Sequence, residues 1–95
     1  MRHSMTAVFH STAFRKDLRL ASKRGRDLEK LRQVLELLSK GEPLPRGLRD
    51  HPLKGDWVGH RECHLEPDWL LIYQIDAAAG VIRLERTGTH SDLFG

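Results

Sequence analysis

The chain has one cysteine, Cys63, and its longest unbroken apolar run is the five residues from Trp69 to Tyr73. A lone thiol excludes an internal disulfide and a zinc site built from several cysteines, and it suits a reducing compartment. Five apolar residues fall far short of the ~20 that cross a bilayer, and no apolar stretch of the signal-peptide kind follows the first residues. The expected setting is therefore the cytoplasm, with no membrane partner. Internal repeats, low-complexity tracts and linkers are also missing. What is present is 95 residues, 39% hydrophobic and 31% charged, too apolar for a disordered chain and ordinary for a folded one. A chain of this size buries roughly 60–65% of its unfolded surface, enough for one thin core. We expect one domain over residues 5–95, with residues 1–4 an extension before Met5.

The charge is unevenly placed. The formal net charge is +3, yet residues 1–50 carry 12 Lys/Arg against 6 Asp/Glu, and residues 51–95 carry 4 against 7. Much of the excess lies in Arg15, Lys16, Arg19, Lys23, Arg24, Arg26, Lys30 and Arg32. A basic stripe on a small protein points to a polyanionic partner, chiefly nucleic acid. The plainer reading is a solvated helix face.

The hydrophobic period divides the chain. Residues 6–10 are β-prone. Ser11 or Thr12 then offers a side-chain oxygen to the free N–H groups of a helix, carried by Phe14, Leu18 and Ala21 and stopped at Gly25. Asp27 caps a second helix, in which Leu28, Leu31, Leu35 and Leu38 form the apolar stripe. Residues 41–51, with two prolines and two glycines, read as a surface loop. Extended segments follow at 53–58, 60–66, 69–75 and 81–86, and 91–95 reads as a tail. The continuous run at 69–75 suggests a central strand covered on both faces. The order β-α-α-β-β-β predicts an α+β fold, with two antiparallel helices packed on one face of a mainly antiparallel sheet.

Unusual side chains gather at the predicted strand ends and turns of the second half: His51, Arg61, His64, Asp68, Trp69, Tyr73, Arg86, His90 and Phe94. Such a set suits metal-free RNA cleavage, which needs a base for the 2′-OH, donors for the phosphorane and an acid for the leaving oxygen. Histidine titrates near pH ~6.5, so one ring can serve as base and another as acid. Arginine offers planar donors to phosphate oxygens, and aromatic rings stack on unpaired bases. Each residue also has a plainer reading. A lone histidine is commonly structural. His60 and His64 have the spacing of a helical zinc pair but fall in a predicted strand, so no metal is expected. Cys63 alternates with His64 and points to the opposite face as a small core residue. Trp69 and Tyr73 share strand parity and fit a core equally well, Asp68 can simply shape a turn after Pro67, and Phe94 can pin the tail. From these residue types alone, a nucleic-acid-binding domain is the safer reading, with catalysis open.

Three strings in order are more specific. His51-Pro-Leu-x-Gly55, Gly59-x-Arg-Glu-Cys-His64-x-x-Pro-Asp68-Trp-Leu-Leu-Ile-Tyr73 and Arg86-Thr-Gly-Thr-His90-Ser-Asp-Leu-Phe94 resemble the YafQ-type toxins of the RelE superfamily, over roughly residues 7–95. The resemblance implies a RelE-like fold and the toxin of a type II toxin–antitoxin pair, an endoribonuclease that cuts mRNA at the ribosomal A site. It implies no cofactor. It maps the activity onto His51, His64, Asp68, His90 and Phe94, with Arg61, Trp69 and Arg86 as RNA contacts. On that mapping His90 is the general acid, His64 or Asp68 is the base or the group that orients it, His51 binds phosphate or assists proton transfer, and Phe94 stacks on a base. The implied partners are mRNA, the ribosome and a cognate antitoxin, the last in a higher-order complex that binds operator DNA. Two other readings keep the fold: a non-catalytic toxin that binds DNA gyrase, and a plain RNA-binding module. Neither would need the four polar residues His51, His64, Asp68 and His90 together.

Overall fold

The described residues begin with a strand that waits for its partner until late in the sequence. In a computed structural model that describes residues 7–95, β1 (Ala7–His10) lies parallel to β5 (Val81–Gly88), with Ala7 opposite Val81 and His10 opposite Leu84. Between them come α1 (Thr12–Lys23), α2 (Leu28–Ser39), β2 (His51–Pro52), β3 (Arg61–Glu66) and β4 (Trp69–Asp76); α3 (His90–Phe94) follows β5. The sheet order is β1-β5-β4-β3-β2, and every pair but the first is antiparallel. The fold is α+β with a mixed five-stranded sheet. The expectation for residues 1–4 falls outside the described residues.

Local chemistry sets the helix ends. Ser11 Oγ accepts from the Phe14 N–H at 2.9 Å and donates to the Glu85 carbonyl at 2.7 Å, so one hydroxyl caps α1 and ties it to β5. Past the end of α1, Gly25 takes φ +77°, and the N–H groups of Arg26 and Gly25 close onto the carbonyls of Ala21 and Ser22. This paired closure needs a left-handed residue, which glycine adopts without strain. Asp27 then caps α2 through the Glu29 N–H.

The two helices cover one face of the sheet. Phe14, Ala21, Leu31, Val34 and Leu38 pack with Cys63, Leu65, Trp69, Leu71, Tyr73, Ile82 and Leu84 in a single buried cluster. Burying such side chains contributes roughly 1.5–3 kcal/mol for each large one. Trp69 through Tyr73 are all buried, as the continuous run predicted. Cys63 sits in the helix-side cluster, so its strand neighbours Glu62 and His64 face the other way.

Three expectations need correction. Residues 53–58 are not a strand: Gly55–Trp57 forms a 3₁₀ turn with Gly55 at φ +64°, and only His51–Pro52 pairs with β3. The loop over 41–51 contains a further 3₁₀ turn at Arg46–Leu48 and ends in β2. The tail is helical from His90, because Thr89 and Asp92 form a reciprocal cap: the Thr89 hydroxyl accepts from the Asp92 N–H, and the Asp92 carboxylate accepts from the Thr89 N–H, each at 3.0 Å.

Candidate active site

The polar face of β3 is assembled by strand alternation. Glu62 and His64 lie two apart and share the face that Cys63 and Leu65 leave. β2 brings His51 directly opposite Glu62 in register, and the His51 ring reaches its carboxylate, Nε2 to Oε1 at 3.2 Å. The other His51 nitrogen, Nδ1, is 3.1 Å from the Pro52 carbonyl oxygen. Glu62 is 5% exposed, and a buried carboxylate requires such partners.

The third histidine arrives from the chain's other end. Pro67 and Asp68 make the two-residue turn between β3 and β4, as expected for them, and Asp68 also reaches α3. Its Oδ1 accepts from the His90 backbone N–H at 3.1 Å and faces His90 Nδ1 at 3.0 Å. The first of these bonds, then the second, holds the Asp68 carboxyl below the usual carboxylate range. Facing an ionised carboxylate, Nδ1 carries the proton, which leaves Nε2 to meet a reactant. The ring centroids of His51 and His64 are 6.4 Å apart, those of His64 and His90 5.8 Å, and those of His90 and Phe94 6.5 Å. His64 is the middle ring, and its buried Nδ1 has no hydrogen-bond partner.

α3 is held in place from α1 and from the turn after it. Arg24 pairs with Asp92 at 2.6 Å, and this guanidinium, followed by the Thr89 N–H, keeps the Asp92 carboxyl far below the usual range. Gly88 lies close against this cap, since a Cβ at that position would sit 3.0 Å from the Asp92 Cβ and Oδ2 and press on them.

His51, His64, Asp68, His90 and Phe94 thus gather in one row, with Phe94 half exposed at its end. The expected RNA contacts fare differently. Trp69 is 1% exposed and belongs to the helix-side core, so its ring is closed to a base; strand parity, which it shares with Leu71 and Tyr73, decides this. Arg61 is engaged by Asp50, whose carboxylate also accepts from the Tyr73 hydroxyl. Arg86 bonds both oxygens of Asp17, at 2.6 and 3.1 Å. A register shift leaves Glu85 without a partner between Tyr73–Leu84 and Ile72–Arg86, and such a bulge re-aims the residues that follow it. His60 stands apart, with Glu85 at 3.2 Å and the edge of Trp57 against its ring.

Glu62 is the residue that sequence reasoning passed over, although the alternation that turned His64 away from the core places Glu62 beside it. Glu62, His64 and His90 also bring three potential ligand atoms within 4.8 Å of one another. Two imidazoles and a carboxylate are a donor set that suits zinc or copper.

Against known proteins, residues 6–95 match the family model of the bacterial toxin of type II toxin–antitoxin systems, YafQ. The chain belongs to the YafQ toxin family. A YafQ relative, the mRNA interferase toxin YafQ of Escherichia coli K12, is 47% identical over 89 residues, covering 93% of this chain and 95% of the relative. The YafQ fold agrees with the solved E. coli DinJ–YafQ toxin–antitoxin complex, at TM-score 0.85 and 44% identity over 96% of this chain and 99% of that one. It agrees equally with a metal-bound toxin from Helicobacter pylori, at TM-score 0.89 and 44% identity over 95% and 100%.

Proposed function

We propose that this chain is an mRNA interferase, the toxin of a type II pair, and that the histidine row performs the cut without a metal. The 2′-oxygen forms a bond to the adjacent phosphorus as its proton passes to His64. The bond to the 5′-oxygen breaks as His90, entering the step as the imidazolium with its Nδ1–H on Asp68, donates its Nε2 proton to that oxygen. The products are a cyclic phosphate and a free 5′-OH. Asp68 orients His90, Glu62 positions His51, and His51 donates to the phosphate oxygens as their charge develops. Phe94, half exposed beside His90, offers a face to an unpaired base.

The observation that carries this reading is the double grip of Asp68 on His90, which leaves one ring nitrogen free beside a second, unpartnered histidine. Proton transfer by positioned groups of this kind accelerates a reaction roughly 10²–10⁴-fold. The substrate is mRNA in the ribosomal A site. A cognate antitoxin restrains the toxin in a hetero-oligomer that binds operator DNA, and the site of action is the cytoplasm. No helix among the described residues is long and apolar enough to cross a membrane.

The test is primer extension on a defined message in translating ribosomes, with wild type beside His90→Ala. New 5′ ends at in-frame codons that fade about 100-fold or more in the variant support the mechanism. A wild-type protein that stops growth without making new ends refutes it.

A further inference from the structure

A cation already matched by a protein carboxylate has little left to offer an incoming phosphate. Most basic side chains near the histidines are matched in this way: Arg61 by Asp50, Arg86 by Asp17 and Arg24 by Asp92. Arg49 differs. Its guanidinium makes no hydrogen bond or ion pair with any described residue. It lines a cleft of about 250 Å³ together with Lys30, His64 and Glu66. Glu66 is shared, accepting from Arg26 at 2.8 Å and from Lys30 at 2.9 Å. Two cations on one carboxylate leave this wall positive before Arg49 adds its own charge.

The backbone gives a second indication. Arg49 has φ +50° and ψ +42°, the only non-glycine among the described residues with positive φ. A glycine would hold that turn without strain, and an arginine there is out of place unless its side chain has a task. The same reversal ends the 3₁₀ turn at Leu48 and leads, two residues on, into His51.

We propose that Arg49 forms a phosphate subsite that holds the backbone of single-stranded RNA beside His64, in a cleft whose Lys30 stays on Glu66. The proposal rests on the nuclease reading above and adds the group that seats its substrate. Planar guanidinium donors suit two phosphate oxygens at once, and an unpaired, solvated one can reach them without first breaking an ion pair.

Four variants test it: Arg49→Gln, Arg49→Lys, Arg49→Gly and, outside the cleft, Arg46→Gln. Two readouts are needed: kcat/KM for cleavage in programmed ribosomes, and binding of an RNA oligonucleotide made uncleavable by a 2′-deoxy substitution, followed over a range of salt. Arg49→Gln is expected to lower kcat/KM 10- to 100-fold and to make the log–log salt dependence of binding shallower by about 0.7, the loss of one single-strand phosphate contact. Arg49→Lys stays within a few-fold of wild type, and Arg46→Gln equals it. Arg49→Gly falls as far as Arg49→Gln although it relaxes the backbone. The proposal is overturned if Arg49→Gln cleaves and binds as wild type does, or if Arg49→Gly recovers what Arg49→Gln loses. Should wild type fail to cleave while Arg49→Gln still weakens oligonucleotide binding, the nuclease reading falls and the subsite stands.

Discussion

The two faces of β3 were built by the same six residues under opposite demands. Cys63 and Leu65 enter a buried apolar cluster where shape is everything, while Glu62 and His64, one step away along the same strand, enter a polar row where each group needs a partner. The helix-side face supplies stability through area and packing. The histidine face carries the groups of the proposed chemistry, and α3, from the far end of the described residues, brings His90 to it. Stability and activity therefore separate by parity. A change on one face should leave the other's property nearly intact.

The largest expected effect is on the polar face. His64→Ala should reduce cleavage roughly 10²–10⁴-fold while shifting unfolding by less than about 1 kcal/mol, since its buried Nδ1 has no hydrogen bond to lose. Leu71→Ala should do the reverse, costing about 2–5 kcal/mol in urea unfolding and leaving the folded fraction able to cut. If His64→Ala unfolds the protein as badly as Leu71→Ala, the two faces are not separable.

A divalent transition ion should act on one face alone. Zinc or copper captured by Glu62, His64 and His90 occupies the proposed base and acid together. Micromolar zinc is expected to slow cleavage at least tenfold, with EDTA restoring it and the unfolding midpoint rising rather than falling. Zinc binding that survives, by calorimetry, in a Glu62→Gln, His64→Ala double variant would place the ion elsewhere.

A smaller effect tests the link between regions. Gly88→Ala pushes against Asp92, whose carboxylate caps α3 and pairs with Arg24. The loss of a cap costs about 1 kcal/mol, and cleavage should fall because His90 opens that helix. Equal activity in Gly88→Ala would show that His90 is held by Asp68 without help from the cap.

At neutral pH the slightest effect belongs to the buried thiol. Burial, followed by the neighbouring Asp50 and Glu62 charges, pushes Cys63 up to about 12. A free thiol ionises near pH ~8.5, so the unfolded chain sheds this proton first. The stability tied to it is complete below about pH 8.5 and declines as pH rises toward 12. Urea midpoints should hold up to about pH 8.5 and fall steadily above it, by up to about 1.4 kcal/mol of stability per pH unit, and iodoacetamide at pH 8 should label Cys63 only on unfolding.

Legibility in the sequence followed the range of the interactions. Both long helices were readable from nearby residues, because the leucine spacing, Ser11, Asp27 and Gly25 act within a turn or two. The site residues were readable through the resemblance of their strings, and Cys63 through simple alternation. Leu53 to Val58 was misread as a strand because pairing is decided by a distant partner, and on its β2 side β3 meets only His51 and Pro52. The cap between Thr89 and Asp92 had its signature in the sequence, yet the helix it opens has five residues, too few to show a period. Trp69 could be assigned to the core only once the parity of β4 was tied to the helix-covered face. The ion pairs of Arg61 and Arg86 join residues 11 and 69 positions apart, and nothing local announces them.

The sheet order carries one more consequence. β5 lies between β1 and β4, so the first strand made has no neighbour until the final strand emerges. His90 comes later still. A growing chain holds neither a closed sheet nor a complete row of histidines until residue 90 has been made. A nascent chain cut short before Val81 therefore has neither its closed sheet nor its row of histidines, by the order of the strands and of α3 behind them.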